Sequence, residues 1–176
     1  MPLLEIGAVT MRFGGLVAVN SVSVALAPGE LYGLIGPNGA GKTTLFNLVT
    51  GVYAPTAGTV RFDGRSLAGL PPYAITRLGI ARTFQNIRLF GQLSVLDNVK
   101  VAFDQRQKAG VFAAMAHSRV HADEEKRIDH EARDLLAIFN LHQMAAEKAC
   151  NLPYGSQRRL EIARALATRP RLLCLD

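Results

Sequence analysis

The chain has 176 residues, 49% hydrophobic and 19% charged, a globular rather than disordered composition, and it is long enough for a core that buries about 70% of the unfolded surface. No apolar run approaches the roughly 18 residues of a membrane span, and Met1–Glu5 lacks the basic start and long apolar stretch of a secretory signal, so any membrane role is expected to be peripheral. The formal charge of +6 is spread along the chain, with a concentration at Arg158, Arg159, Arg164, Arg169 and Arg171. No aromatic residues interleave there, which argues against nucleic acid and for a solvated helix face suited to anionic ligands or lipid headgroups.

In chain order, Leu4, Ile6 and Ala8, then Val22, Val24 and Leu26, alternate with smaller or polar neighbours as half-buried strands do. Pro28-Gly29 predicts a turn, and Leu31–Ile35 reads as a short buried parallel strand. Gly36-Pro37-Asn38-Gly39-Ala40-Gly41-Lys42-Thr43 fits G-x-x-x-x-G-K-[ST]. Glycines at 36, 39 and 41 let the backbone turn tightly and bring its N–H groups toward phosphate oxygens. The following helix adds its dipole, Lys42 supplies a cation for the β and γ phosphates, and the Thr43 hydroxyl is placed to ligate Mg²⁺. From Thr44 onward, Leu45, Leu48 and Val49 share one helical face, with Gly51 as a stop. Strand, glycine loop and helix in this order imply nucleotide binding through Gly36 to Thr44.

Gly58–Gly64 reads as another strand ended by a turn, so a small antiparallel layer is expected beside the nucleotide core. Pro71-Pro72 opens a short helix through Arg77, and Gly79–Phe84 returns as a strand. From about Ser94 to Cys150 the pattern is helical. Ser94-Val95-Leu96-Asp97 has capping-box spacing. Over Asp123–Asn140, Ile128, Ala132, Leu135, Leu136 and Phe139 form one stripe, with Asp123/Arg127 and Asp129/Arg133 as i,i+4 pairs on the wet side. His121 and His130 are expected to be exposed and inert, and no histidine has metal-ligand spacing. Cys150 and Cys174 resemble neither a metal site nor a redox pair and read as two buried thiols. A helix then runs from Tyr154-Gly155-Ser156-Gln157 through Ala167 and ends before Arg169-Pro170. Leu172–Asp176 reads as a buried strand closing on an acid that would hold Mg²⁺ beside the phosphate loop.

Leu152-Pro153-Tyr154-Gly155-Ser156-Gln157-Arg158-Arg159-Leu160-Glu161-Ile162-Ala163-Arg164-Ala165-Leu166 resembles the signature of ATP-binding-cassette (ABC) ATPases. Neither an N-K-x-D guanine-reading element nor a protein-kinase catalytic set is present. Met11–Asn20, Arg82–Phe90 and the Tyr154-Gly155 form of the signature are similar to the ATP-binding subunits of bacterial branched-chain amino-acid importers, and the likeness covers the whole chain. The fold it implies is α/β, a P-loop NTPase core of ABC type with a small antiparallel β layer and a helical subdomain, the C-terminal part of the core missing. The expected divisions are 1–85 for the nucleotide-binding core with its β layer, 86–150 for the helical subdomain, and 151–176 for the signature helix and Walker B strand.

The resemblance implies roles for single residues. Phe13 would stack on adenine, an ordinary strand-edge core phenylalanine being the other reading. Gln85 would approach Mg²⁺ and the attacking water while touching the transporter side, against an ordinary polar residue after Phe84. Gly155, Ser156 and their helix would face the γ-phosphate of ATP held by a second ABC ATPase subunit, identical or different. Asp176 would serve Mg²⁺. The cofactors expected are ATP and Mg²⁺. The partners are a second ATPase subunit, transmembrane permease subunits and, indirectly, a periplasmic or extracellular substrate-binding protein, on the cytoplasmic face of the cell membrane, with no nucleic acid.

Two departures bear on this. Pro153 stands where the family commonly has Ser, and Ser156 where it has Gln, so weaker closure around ATP is expected, with Ser156 a partial substitute. The family also continues past the strand-ending Asp with a catalytic glutamate, a dimer-contacting loop and a switch histidine, so slow turnover is expected of the chain ending at Asp176. Rival readings are a non-transport ABC ATPase acting on DNA or ribosomes, and a fragment that binds ATP with little turnover.

Overall fold

The computed structural model describes residues 1–104 and 119–176, with side chains described at 1–103 and 124–176. Two compact units form: Met1–Ile80 together with Asp176, and Ala81–Leu175.

The first unit is built on an antiparallel sheet of order β2-β1-β3-β4, comprising β1 (Leu4–Phe13), β2 (Leu16–Leu26), β3 (Ala57–Phe62) and β4 (Arg65–Ser66). The expected antiparallel layer is therefore present. β1 pairs on both sides, with Leu4 opposite Leu26 on one edge and Phe62 on the other. In β1 the expected alternation fails at Ala8. Ala8 is exposed at φ 44°, and the register shifts against both neighbours between Ile6 and Thr10. This bulge turns Val9, fully buried, into the core in place of Ala8. Gly58 faces the same kink at φ +85°, where a Cβ would lie 2.4 Å from the Ala8 carbonyl oxygen. Leu4, Ile6, Val9, Val60 and Phe62 are buried in this unit, as are Leu45, Leu48 and Val49 of α1 (Lys42–Val49) and Ile75 of α2 (Pro72–Leu78).

Leu31–Ile35 overturns its expectation. The segment has no regular secondary structure, and Leu31 and Ile35 are 99% and 95% exposed. A strand buried on both faces needs a hydrogen-bonded neighbour along its edges, and among the described strands none pairs with it. Periodicity and apolarity alone do not supply that neighbour.

The second unit centres on α3 (Val95–Asp104), α4 (Arg119–Ile138) and α5 (Tyr154–Ala167). Ile128, Ala132 and Leu136 of the expected stripe are buried, and Leu135 and Phe139 pack against the same cluster, which includes Val95, Val99, Leu160 and Ala163. On the wet side Arg133 Nε meets Asp129 Oδ2 at 2.6 Å, whereas Arg127 pairs with Glu124 and Glu131. The Asp123 and His121 side chains lie outside the described residues. His130 is exposed and stands 3.5 Å from Asp134. Strands β5 (Ile80–Arg82) and β6 (Leu172–Cys174) pair with each other. β6 is shorter and less buried than expected, with Cys174 inside and Leu175 57% exposed. Cys150 is exposed, contrary to the expectation of two buried thiols, because the turn at Ala149–Asn151 buries Ala149 instead. Among the described residues no helix is long and apolar enough to cross a membrane.

The cap at α3 departs in detail from the capping box. The Asp97 N–H donates to Ser94 Oγ at 3.0 Å, and the same hydroxyl donates to Asp97 Oδ2 at 2.6 Å. One turn inward, Asn98 is fully buried. Its Oδ1 accepts from the Phe90 N–H, and its amide donates to the carbonyls of Phe90 and Ser94. Asn98→Ala removes three hydrogen bonds to part-buried backbone groups and is expected to cost about 2–4 kcal/mol of stability, measurable as a lower urea midpoint at unchanged slope.

Candidate nucleotide-binding site

The glycine loop begins half-buried at Gly36, exposes Pro37 to Ala40, and returns half-buried at Gly41 to Thr44. A turn closed by the Ala40 N–H on the Pro37 carbonyl (3.2 Å) reverses the chain, with Gly39 at φ 83°. Gly41 is the N-cap of α1 in the left-handed region, φ 85° and ψ 9°. A Cβ there would lie 2.2 Å from the Ala18 carbonyl oxygen of β2, so only glycine fits this close approach. The first turn of α1 has no acidic residue and no side-chain cap, which leaves its leading N–H groups and dipole for an anion.

Lys42 Nζ donates to the carbonyls of Gly36 (2.7 Å) and Pro37 (2.8 Å), folding the ammonium back over the loop. Thr43 Oγ1 donates to Asp176 Oδ1 at 3.4 Å, bringing together two hard oxygen ligands from positions 133 apart in the chain. These oxygens would fit a hard cation such as Mg²⁺, which needs few protein ligands. No group of three or more His, Cys, Asp or Glu suited to a metal occurs among the described residues. Phe13 is 41% exposed and makes an edge-on contact with Tyr53, ring centroids 5.2 Å apart at 75°. Tyr53 was not anticipated; an aromatic four residues after the α1 helix is the signal that could have pointed to it.

In the second unit, Gln85 is exposed just beyond β5. Gly155 lies in the first turn of α5, with open space where a Cβ would be. Pro153 is the N-cap at φ −57° and ψ 150°, with no side-chain cap bond and no acid in the first turn. Ser156 is 4% exposed, and its hydroxyl accepts from Arg159 Nη2 at 3.0 Å.

Of the five arginines expected on a solvated face, Arg159, Arg169 and Arg171 are exposed, whereas Arg158 and Arg164 are half-buried. Arg158 donates to the carbonyls of Phe84 (2.6 Å) and Gln85 (2.8 Å) and to Glu161 (3.0 Å). Hydrogen bonding to Tyr154 is the main cause raising its pKa, with Glu161 adding to it. Arg159 donates to the Phe139 carbonyl, and Arg169 pairs with Glu131. Arg164 stacks over Phe90 at 5.3 Å; burial lowers its pKa while Glu161 opposes the shift. Glu161 itself is 3% exposed and was not singled out from the sequence. A lone acid between Leu160 and Ile162, three residues after an arginine, was its only trace.

The ABC transporter family matches residues 19–176. The high-affinity branched-chain amino acid transport ATP-binding protein LivG of Salmonella typhimurium is 46% identical over 99% of this chain and 69% of its own length. The corresponding protein BraF of Pseudomonas aeruginosa is 45% identical over the same shares. A dimeric ATP-binding cassette in a post-hydrolysis state, bound to ADP and Pi, superposes with a TM-score of 0.80 at 26% identity, covering 98% of this chain and 73% of that one. A phosphate-loop geometry built on Gly41, joined to a match over most of its length, makes this chain a member of the ABC transporter family, an ABC-type ATPase.

Proposed function

We propose that this chain is the ATP-binding subunit of an ABC importer for branched-chain amino acids. The observation that carries the reading is the Gly36–Thr43 cradle, with Lys42 folded onto its carbonyls and Thr43 Oγ1 3.4 Å from Asp176. The likeness to LivG and BraF supplies the substrate class.

Backbone N–H groups of the loop through Thr44 receive the phosphates of ATP, aided by the α1 dipole. Lys42, with two of its three donors on loop carbonyls, turns the third toward a β or γ oxygen. Thr43 and Asp176 hold Mg²⁺, which when bound neutralises phosphate charge. The exposed part of the Phe13 ring offers adenine a π face without base-specific hydrogen bonds. Gln85 orients the attacking water. Gly155 and the uncapped start of α5 present N–H groups to the γ-phosphate of ATP on a second ATPase subunit, so the site is completed in a dimer. Permease subunits in the membrane are the further partners, with a substrate-binding protein beyond them, and the subunit works peripherally on the inner face of the cell membrane.

Three measurements test this reading. Lys42→Ala is expected to weaken ATP binding about 100-fold, the roughly 3 kcal/mol scale of a contact to a charged group, in a calorimetric titration; unchanged affinity would remove the phosphate cradle from the mechanism. Asp176→Asn should leave metal-free ATP binding as it is and abolish the gain that Mg²⁺ adds, whereas an equal loss with and without Mg²⁺ would place Asp176 outside the metal site. Reconstituted with its permease and binding protein, the subunit is expected to drive uptake of labelled leucine that fails with Lys42→Ala. ATP turnover stimulated by DNA or ribosomes instead would overturn the importer reading.

A further inference from the structure

Glu161 poses a question that nucleotide binding does not answer. It sits in α5 among Leu160, Ile162 and Ala163, and it is 3% exposed. A carboxylate at such a depth is costly unless every part of it is paired. It is paired on both oxygens: Oε1 accepts the Phe84 N–H at 3.2 Å, and Oε2 accepts Arg158 Nη1 at 3.0 Å. The same arginine reaches the Phe84 carbonyl with Nη1 (2.6 Å) and the Gln85 carbonyl with Nη2 (2.8 Å). Two side chains three residues apart on one helix thus take up the Phe84 N–H and both carbonyls of the Phe84-Gln85 pair.

The ring of Phe84 is also held. The Arg88 guanidinium lies 4.5 Å and that of Arg82 5.2 Å from its centroid. Gln85 itself stays exposed while its carbonyl is fastened to Arg158. The helix doing the fastening is the one that opens at Gly155.

We propose that Glu161 and Arg158 are positioning residues that clamp the Phe84-Gln85 backbone to α5, so that displacement of the Gly155 end of this helix carries Gln85 with it. The proposal rests on the reading of Gln85 and Gly155 given above and adds the connection between them within one subunit. A planar guanidinium spans two successive carbonyls, which a single ammonium does not. The carboxylate fixes the orientation of that guanidinium and holds the one amide that Arg158, a donor only, does not accept.

Hydrogen exchange and kinetics test the clamp separately. In the full chain, Glu161→Ala is expected to speed exchange of the Phe84 amide about tenfold or more, the factor for losing a bond to a charged acceptor. The amides of 162–167 in α5 should keep their protection, and Glu161→Gln, whose amide oxygen still accepts, should keep Phe84 protected. Unchanged Phe84 exchange, or loosening of the whole helix, overturns the clamp. In the assembled transporter, Glu161→Ala should lower kcat about tenfold with little change in KM for ATP and add no further loss to Gln85→Ala; additive losses overturn the proposal. If Gln85→Ala alone leaves turnover unchanged, the role given to Gln85 fails, and the exchange result still decides the clamp. Should Glu161→Ala not fold, Arg158→Lys takes its place: kcat falls while the Phe84 amide stays protected, and an unchanged kcat rejects the idea.

Discussion

The candidate nucleotide site depends on how closely the start of α1 approaches β2 at Gly41. With the Ala18 carbonyl oxygen 2.2 Å from where a Cβ would stand, the chain passes through a space only a bare Cα occupies. The left-handed φ of 85° that it adopts there ends the loop and starts the helix within one residue. Everything chemical follows at once: Lys42 is the first helical residue and its ammonium doubles back over the loop, and Thr43 is the second and reaches Asp176. The backbone conformation sets the site, and the side chains populate it.

Charged side chains of the helical unit make specific contacts within it even where they are exposed to solvent. The arginine-rich stretch suggested an anionic partner, yet its members close carbonyls, pair with Glu131 and Glu161, or lie over aromatic rings. Long cationic side chains supply several donors each, and the carbonyls left at helix ends and in extended segments need donors. A net charge of +6 is therefore a poor guide to partners here.

The two departures in the signature gain a physical account from α5. Pro153 is the N-cap, where its fixed φ is compatible with the chain direction and its missing N–H is not part of the helix's own ladder. What the position lacks is a hydroxyl. Ser156, two residues inside the helix, does not replace it in this structure, because its own hydroxyl is buried against Arg159. Main-chain N–H groups at Tyr154 and Gly155 are what the helix start offers.

Much of this was legible in the residue order because its causes are local. Glycines at 36, 39 and 41 before Lys-Thr, the Leu45, Leu48 and Val49 face, the stripe from Ile128 to Phe139 and the Tyr154–Ala167 helix each follow from spacing within one or two turns, where backbone sterics and amphipathic burial act. Tertiary structure alone decided what depends on a distant neighbour. The bulge that exchanges Ala8 for Val9 answers to Gly58, Leu31–Ile35 pairs with none of the described strands, and Glu161 is buried where the Phe84 amide needs an acceptor. Hydrogen-bond partners far apart along the chain leave no period in it, and the amino-acid order records them only as isolated residues that look out of place.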